Sequence, residues 1–212
     1  MCNGLVHALT EQYDEINLIC KRHYLETVKH LYEDFPQIKV LPVTNEFEDT
    51  GVYSAELKMP ILMVGFSNCD YTAFEESFYK QLSLSPEYEY SKFKFPKRLE
   101  TKLYESIVNK LGEEYIFIHD TCSAKKIELT IDSNLPRHYA EKDDTSDVLD
   151  YVKAMAEAKE VHVINSGINN LAFQMFLQGM LKGRIFYHNA RKIEDGGIPV
   201  RVPRGIEVVN YG

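Results

Sequence analysis

Cysteine is scarce and dispersed in this chain: Cys2, Cys20, Cys69 and Cys122 form no CxxC pair, and no secretory leader is recognisable. A disulfide framework or zinc knuckle is disfavoured by that spacing, and a reducing cytoplasm is the expected compartment. Long apolar runs are also missing. None approaches the roughly 18 residues needed to cross a bilayer, so no membrane span is expected. Clustered basic charge is rare as well. The net charge is −8 and the pI about 5.4, whereas a broad nucleic-acid face needs grouped Lys and Arg to displace counterions from phosphates. No nucleic-acid partner is expected. The one basic stretch, SKFKFPKR from Ser91 to Arg98, reads either as a phosphate contact or as a solvated edge beside a phenylalanine pair.

Several chemical signatures are absent too. There is no GxGxxG and no GxxxxGK[ST], which removes the usual dinucleotide fingerprint and the P-loop. No GxSxG elbow occurs. The acidic group Glu141, Asp143, Asp144 and Asp147 contains no Asp-x-Asp, so a divalent-metal sugar-nucleotide site has no evident anchor, and the group reads as a solvated loop and helix cap. His23 and His30 lie two helical turns apart, too distant to share a metal without other ligands. No metal is expected.

What remains is an ordinary globular composition, 44% hydrophobic, in 212 residues without low-complexity tracts. That length suits one sizeable core or two lobes of roughly 100 residues each. Short runs rich in Ile, Val and Phe alternate with segments of helical period. Helices are expected over Asn3–Tyr13, Tyr24–Phe35, Ala73–Leu82, Lys97–Leu111, Asp147–Ala158 and Asn169–Leu181. Strands are expected over Ile16–Cys20, Ile38–Val43, Ile61–Phe66, Tyr115–Asp120, Ile127–Ile131, Val161–Asn165, Arg184–His188 and Ile206–Asn210. The fully apolar ILMVGF, Ile61–Phe66, has the look of a buried parallel strand. This alternation predicts an α/β protein of βαβ units. The aromatic, proline-punctuated connector EYEYSKFKFP marks a lobe boundary, giving lobes 1–96 and 97–212.

In open α/β sheets, ligands bind beyond the carboxyl ends of the strands. That rule selects three polar junctions: Ser67-Asn68-Cys69-Asp70, His119-Asp120-Thr121-Cys122-Ser123, and Asn165-Ser166-Gly167. The first suits ordinary turn chemistry. His119 beside Asp120 could hydrogen-bond a pyrophosphate or sugar hydroxyl and serve acid/base chemistry, or it could simply close a loop. At VHVINSGINNLAFQM, a strand stops at a tight turn and a helix begins. Its first N–H groups, with the Ser166 hydroxyl and the close approach that Gly167 permits, would suit an anion; equally, Ser and Asn are common helix caps.

Several stretches together carry a family resemblance: CNGLVHALTEQYDEINLICKRHYLETVKHLYEDF, EESFYKQLSLSPEYEYSKFKFP, EYIFIHD, DVLDYVKAMAEAKEVHVINSGINNLAFQM and FYHNARK. They resemble glycosyltransferase-like proteins of the two-lobed GT-B type, found among bacterial surface-polysaccharide genes and large viruses. The resemblance implies two Rossmann-like lobes, a nucleotide-sugar donor held mainly by the C-terminal lobe, a glycan or small-molecule acceptor facing the N-terminal lobe, and no obligatory metal or other cofactor. The family's strand-end donor motif falls on His119 and Asp120, followed by Thr121 and Ser123. Its Ser-x-x-x-x-Leu phosphate turn falls on Ser166, Gly167, Ile168, Asn169, Asn170 and Leu171. Arg191 would offset diphosphate charge as the leaving group departs, and His119 is the residue to which a catalytic role would fall.

One departure qualifies this. In the family, a first strand and a Gly-x-Gly-Asp loop precede the segment matching Met1-Cys2-Asn3-Gly4, where this sequence starts. Either the start is truncated, or the expected N-terminal lobe lacks its first strand and loop and exposes a sheet edge to be covered or paired in a homodimer. Two function classes follow: a metal-independent sugar transferase, or a non-catalytic nucleotide- or glycan-binding relative. A phosphatase or sugar-phosphate enzyme would need a nucleophile or metal cluster that the sequence does not offer.

Overall fold

The structure, a computed structural model, describes residues 2–122, 125–141, 144–191 and 197–211. The chain divides into two compact units, Met1–Arg98 and Leu99–Gly212. Both are α/β with parallel sheets.

In the first unit, α1 (Asn3–Leu9) precedes β1 (Ile16–Lys21), and α2 (Leu25–Leu31) crosses to β2 (Ile38–Val43). The strands pair in parallel, Ile16 opposite Ile38 through Lys21 opposite Val43. A crossover helix is what a parallel pair requires, since a tight hairpin reverses chain direction. Val6, Tyr32 and Ile38 form a buried cluster onto which Ile16, Leu18, Val28, Leu31, Phe35 and Val40 pack. Three more helices follow: α3 (Glu46–Leu57), α4 (Phe74–Lys80) and α5 (Tyr88–Ser91). The sequence pattern gave no warning of α3.

The ILMVGF run is not a strand. Ile61, Leu62, Met63 and Phe66 are 44%, 47%, 65% and 66% exposed, and the segment pairs with neither β1 nor β2. The Gln81 side chain provides the physical reason at Gly65: it donates to the Gly65 carbonyl at 3.1 Å and accepts from its N–H at 3.0 Å, taking both groups a ladder would use. The following junction is turn chemistry, with Asp70 accepting from the Thr72 N–H and hydroxyl. In SKFKFPKR, Lys92 pairs with Glu11, Lys97 with Asp34, and Phe93 with Phe95. This is a charge-compensated edge.

The second unit opens with α6 (Lys102–Leu111), stopped by Gly112 at φ 85°, a conformation side chains resist. Then come β3 (Ile116–His119), β4 (Arg137–Tyr139), α7 (Tyr151–Glu157), β5 (Glu160–Ile164), α8 (Gly167–Leu177), β6 (Arg184–Asn189) and β7 (Glu207–Asn210). All five strands are parallel, in the order β4-β3-β5-β6-β7. One sheet face meets the helices: Phe117 packs on Tyr151 ahead of the rest of α7, and Tyr187 on Phe173 of α8. Every residue of β5 is buried, the polar Glu160 and His162 included.

The expected strand IELTI is absent from this sheet. The segment is held instead by an isolated bridge between Thr121 and Lys126, by the Ile127 N–H on the Asp120 carbonyl, and by the Thr130 N–H on the Tyr211 hydroxyl. The edge position belongs to β4, the tripeptide Arg137-His138-Tyr139, whose polar sequence has no strand periodicity. Among the described residues, no helix is long and apolar enough to cross a membrane.

Candidate functional site

The order β4-β3-β5 places the strand that follows β3 on one side of it and the next on the other. Crossover direction therefore reverses between β3 and β5, and the crevice at their carboxyl ends is a topological switch point. His119 closes β3, opposite Val163 of β5, and two residues beyond Ile164 the chain reaches Ser166. These two junctions, far apart in sequence, meet directly: Ser166 Oγ lies 3.2 Å from His119 Nδ1.

Each part of the crevice has a local cause. Ser166 has extended backbone, and its N–H donates to Asn169 Oδ1 at 2.7 Å, fixing the first turn of α8. Asn169 is buried, while Ser166, Ile168 and Asn170 are half-buried and Gly167 is exposed. A Cβ on Gly167 would meet nothing within 4 Å, so open space lies over the helix start. The N–H groups of a helix's first turn have no intrahelical acceptor, and the helix dipole adds partial positive charge there. Arg191 joins from beyond β6, donating to the Asn165 carbonyl at 3.1 Å, and the Asn165 side chain is tied to the Ile198 carbonyl at 2.7 Å.

His119 is held down to about 4, chiefly by burial, with the charge of Asp120 opposing the shift. Its ring is therefore neutral near pH 7. With the proton on Nδ1, the ring donates to Ser166 Oγ, which also accepts the Asn169 N–H; the Ser166 O–H is then free to donate elsewhere and Nε2 is free to accept.

Of the residues singled out from sequence, His119, Ser166, Gly167, Ile168, Asn169, Asn170 and Arg191 gather at the β5–α8 junction. Asp120 does not join His119 as an imidazole–carboxylate pair. It is 4% exposed, accepts from Thr121 Oγ1 at 3.1 Å and faces Lys126 Nζ at 3.6 Å. It lines a separate cavity of 350 Å³ with Lys126, Arg137 and Tyr139. Thr121 follows Asp120, and Ser123 lies outside the described residues.

Sequence reasoning missed the anchoring of Asn165 by Ile198 and the approach of Lys126 to Asp120. It also missed a histidine pair, His162 and His188, on the sheet face opposite His119. Their placement in two apolar runs that pair side by side was the available signal. Among the described residues, no group of three or more His, Cys, Asp or Glu side chains is placed to hold a metal ion. Comparison of the chain with protein-family models, with curated proteins and with solved structures gives no match.

Proposed function

We propose that the protein is a glycosyltransferase-like protein whose C-terminal unit seats the diphosphate of a nucleotide-sugar at the start of α8. In this reading its two units are the Rossmann-like lobes of a GT-B arrangement. The observation that carries it is the His119–Ser166 contact at 3.2 Å at the switch point of a parallel sheet. The helix end and the Arg191 guanidinium would offset the charge that grows on a departing diphosphate, a means of stabilisation that needs no resident cofactor. Ser166 would donate to a phosphate oxygen. His119, neutral and half-buried, would assist a hydroxyl of the glycan or small-molecule acceptor as that hydroxyl loses its proton.

One observation favours the second reading, a nucleotide- or glycan-binding protein without turnover. The nearest carboxylate in sequence, Asp120, is engaged by Lys126 and Thr121 instead of lying against His119. An imidazole held near 4 is a weak base, and among the described residues the hydrogen-bond partner of its ring is the Ser166 hydroxyl, not a carboxylate.

Thermal unfolding with a panel of nucleoside diphosphates tests the seat. A ligand that binds only the folded state adds about 2.7 kcal/mol at 100 times its dissociation constant. The expected result is a rise with one diphosphate, lost in Ser166→Ala and reduced in His119→Ala. Release of sugar from the matching nucleotide-sugar then separates transferase from binding protein. If no diphosphate moves the transition, the transferase reading fails and the Asn-Ser-Gly turn is a helix start only.

A further inference from the structure

The sheet face opposite His119 holds an unbroken chain of polar contacts across three strands. Glu160 Oε2 lies 3.2 Å from His162 Nε2, His162 Nδ1 lies 2.9 Å from His188 Nε2, and His188 Nδ1 lies 2.7 Å from the Tyr211 hydroxyl. That hydroxyl in turn accepts the Thr130 N–H at 3.0 Å. Glu160, His162 and His188 are 8%, 3% and 0% exposed, and they border an open cavity of 350 Å³ with Thr130, Asp132 and Arg184.

One assignment of hydrogens satisfies every link with both rings neutral. His162 Nε2–H donates to the Glu160 carboxylate, so His162 Nδ1 is an acceptor. It receives His188 Nε2–H, which leaves His188 Nδ1 to accept from Tyr211 O–H. A first added proton can be absorbed by reversing the chain: His162 donates from both nitrogens, and His188 accepts at Nε2 and donates at Nδ1. A second proton has no such solution. Two N–H groups would then face each other across a 2.9 Å gap that holds one hydrogen.

We propose that Glu160, His162, His188 and Tyr211 form a proton-limited latch, which holds the end of β7 and the Thr130 segment on the sheet and opens when a second proton reaches it. Charged neighbours come from every adjoining element. Glu160 lies on β5 itself and Arg184 on β6, with Arg184 2.6 Å from Glu160 and 3.8 Å from Glu207 of β7; Arg137 comes from β4 and Asp132 from the loop. Burial, first, and then the charges of Arg137 and Arg184 lower His162, against the pull of Glu160. His188 is held near 4, by burial and then by His162. A histidine lowered from its ordinary 6.5 leaves the folded state with fewer bound protons than the unfolded one. The latch is therefore intact above about 6.5 and weakens as pH falls toward 4.

The test uses the intact chain labelled with ¹⁵N. Imidazole nitrogen shifts report tautomer and charge, and amide exchange, corrected for its intrinsic pH dependence, reports opening of residues 129–131 and 207–211. The expected result is Nε2–H on both neutral rings at pH 7.5. At least a tenfold gain in opening of those two segments, with β3 unchanged, should accompany the charging of the second ring. His188→Gln, which cannot take up a proton, should abolish that acid step. Tyr211→Phe, which needs no refilling of the core, should leave residues 129–131 open at pH 7.5 already. Protection that persists with both rings charged, Nδ1–H on neutral His162, or an unchanged Tyr211→Phe protein would each overturn the proposal.

Discussion

Gly167 is a residue whose fold does not need it to be glycine. It sits at the first position of α8, and an added Cβ meets nothing within 4 Å. Alanine there should raise stability by about 0.4–1 kcal/mol, because it restricts the unfolded chain. The same methyl would occupy the space through which a diphosphate approaches the helix N–H groups. Gly167→Ala is therefore expected to unfold slightly later and to bind the selected nucleoside diphosphate about tenfold more weakly, read by calorimetric titration. Unchanged affinity would remove Gly167 from the seat.

His7 poses the opposite problem. It is 2% exposed, wedged between the rings of Tyr32 and Phe35, and neither ring nitrogen has a hydrogen-bond partner. Burial, helped by Lys94, holds it down to about 4. The unfolded chain takes up a proton at about 6.5 and the folded one only near 4, so proton uptake adds a further cost as pH falls through that interval and none above it. His7→Leu removes two unsatisfied polar atoms, each costing about 1–3 kcal/mol when buried. It should raise the urea midpoint at pH 7 and flatten the fall in stability of the first unit between pH 6.5 and 4. A midpoint lower than that of the parent would mean that His7 has a partner in solution.

At the scale of elements, two close approaches set helix and strand positions. A Cβ on Gly4 would fall onto the Tyr88 carbonyl where α1 meets α5, and one on Gly183 onto the Ala158 and Lys159 carbonyls just before β6. Neither obstacle is a side chain that can swing away. Gly4→Ala and Gly183→Ala should each cost about 1–3 kcal/mol in denaturant unfolding, the range for overpacked interiors. Parent-like stability for Gly183→Ala would show that the Lys159 turn can yield.

The elements legible in the sequence are those whose burial repeats their chemistry. β3 is an apolar run enclosed by neighbours, β5 and β6 carry apolar residues around His162 and His188, and α6 ends where Gly112 takes a positive φ. ILMVGF and IELTI also read as strands yet are not, because distant side chains hold their backbone: Gln81 at Gly65, and Tyr211 at Thr130. No local pattern carries that information. β4 fails in reverse, since three polar residues gain strand form only by pairing with β3. The candidate site divides along the same line. His119 and Ser166 each stand at a strand end and could be named, but their contact depends on strand order. The turn of Asp120 toward Lys126, and the meeting of His162 with His188, depend on it equally.

At the scale of the whole molecule, the two units differ in how much interior each can supply. The first has a two-stranded sheet, which is marginal unless helices cover it, and much of its buried apolar surface lies on α1 and α4, at Leu5, Val6, Phe74, Phe78 and Tyr79. The second has five strands, with Tyr115, Ile116, Phe117, Ile118, Val161, Val163 and Ile164 completely buried along β3 and β5. A domain near 100 residues can fold alone when its own elements enclose such a core. Residues 99–212 alone are therefore expected to unfold in a single transition, with a urea dependence of about 1–3 kcal/mol/M, and to retain the His119–Ser166 contact. Residues 1–98 alone should be less stable. Circular dichroism and urea unfolding of the two fragments check this, and the nucleoside diphosphate selected with the full chain gives the functional readout. If the C-terminal fragment folds and binds that diphosphate with parent affinity, the seat belongs to one unit. If it folds but binds far more weakly, the first unit contributes to the bound state. A fragment that stays unfolded would mean that the five-stranded sheet depends on residues before Leu99 for its stability.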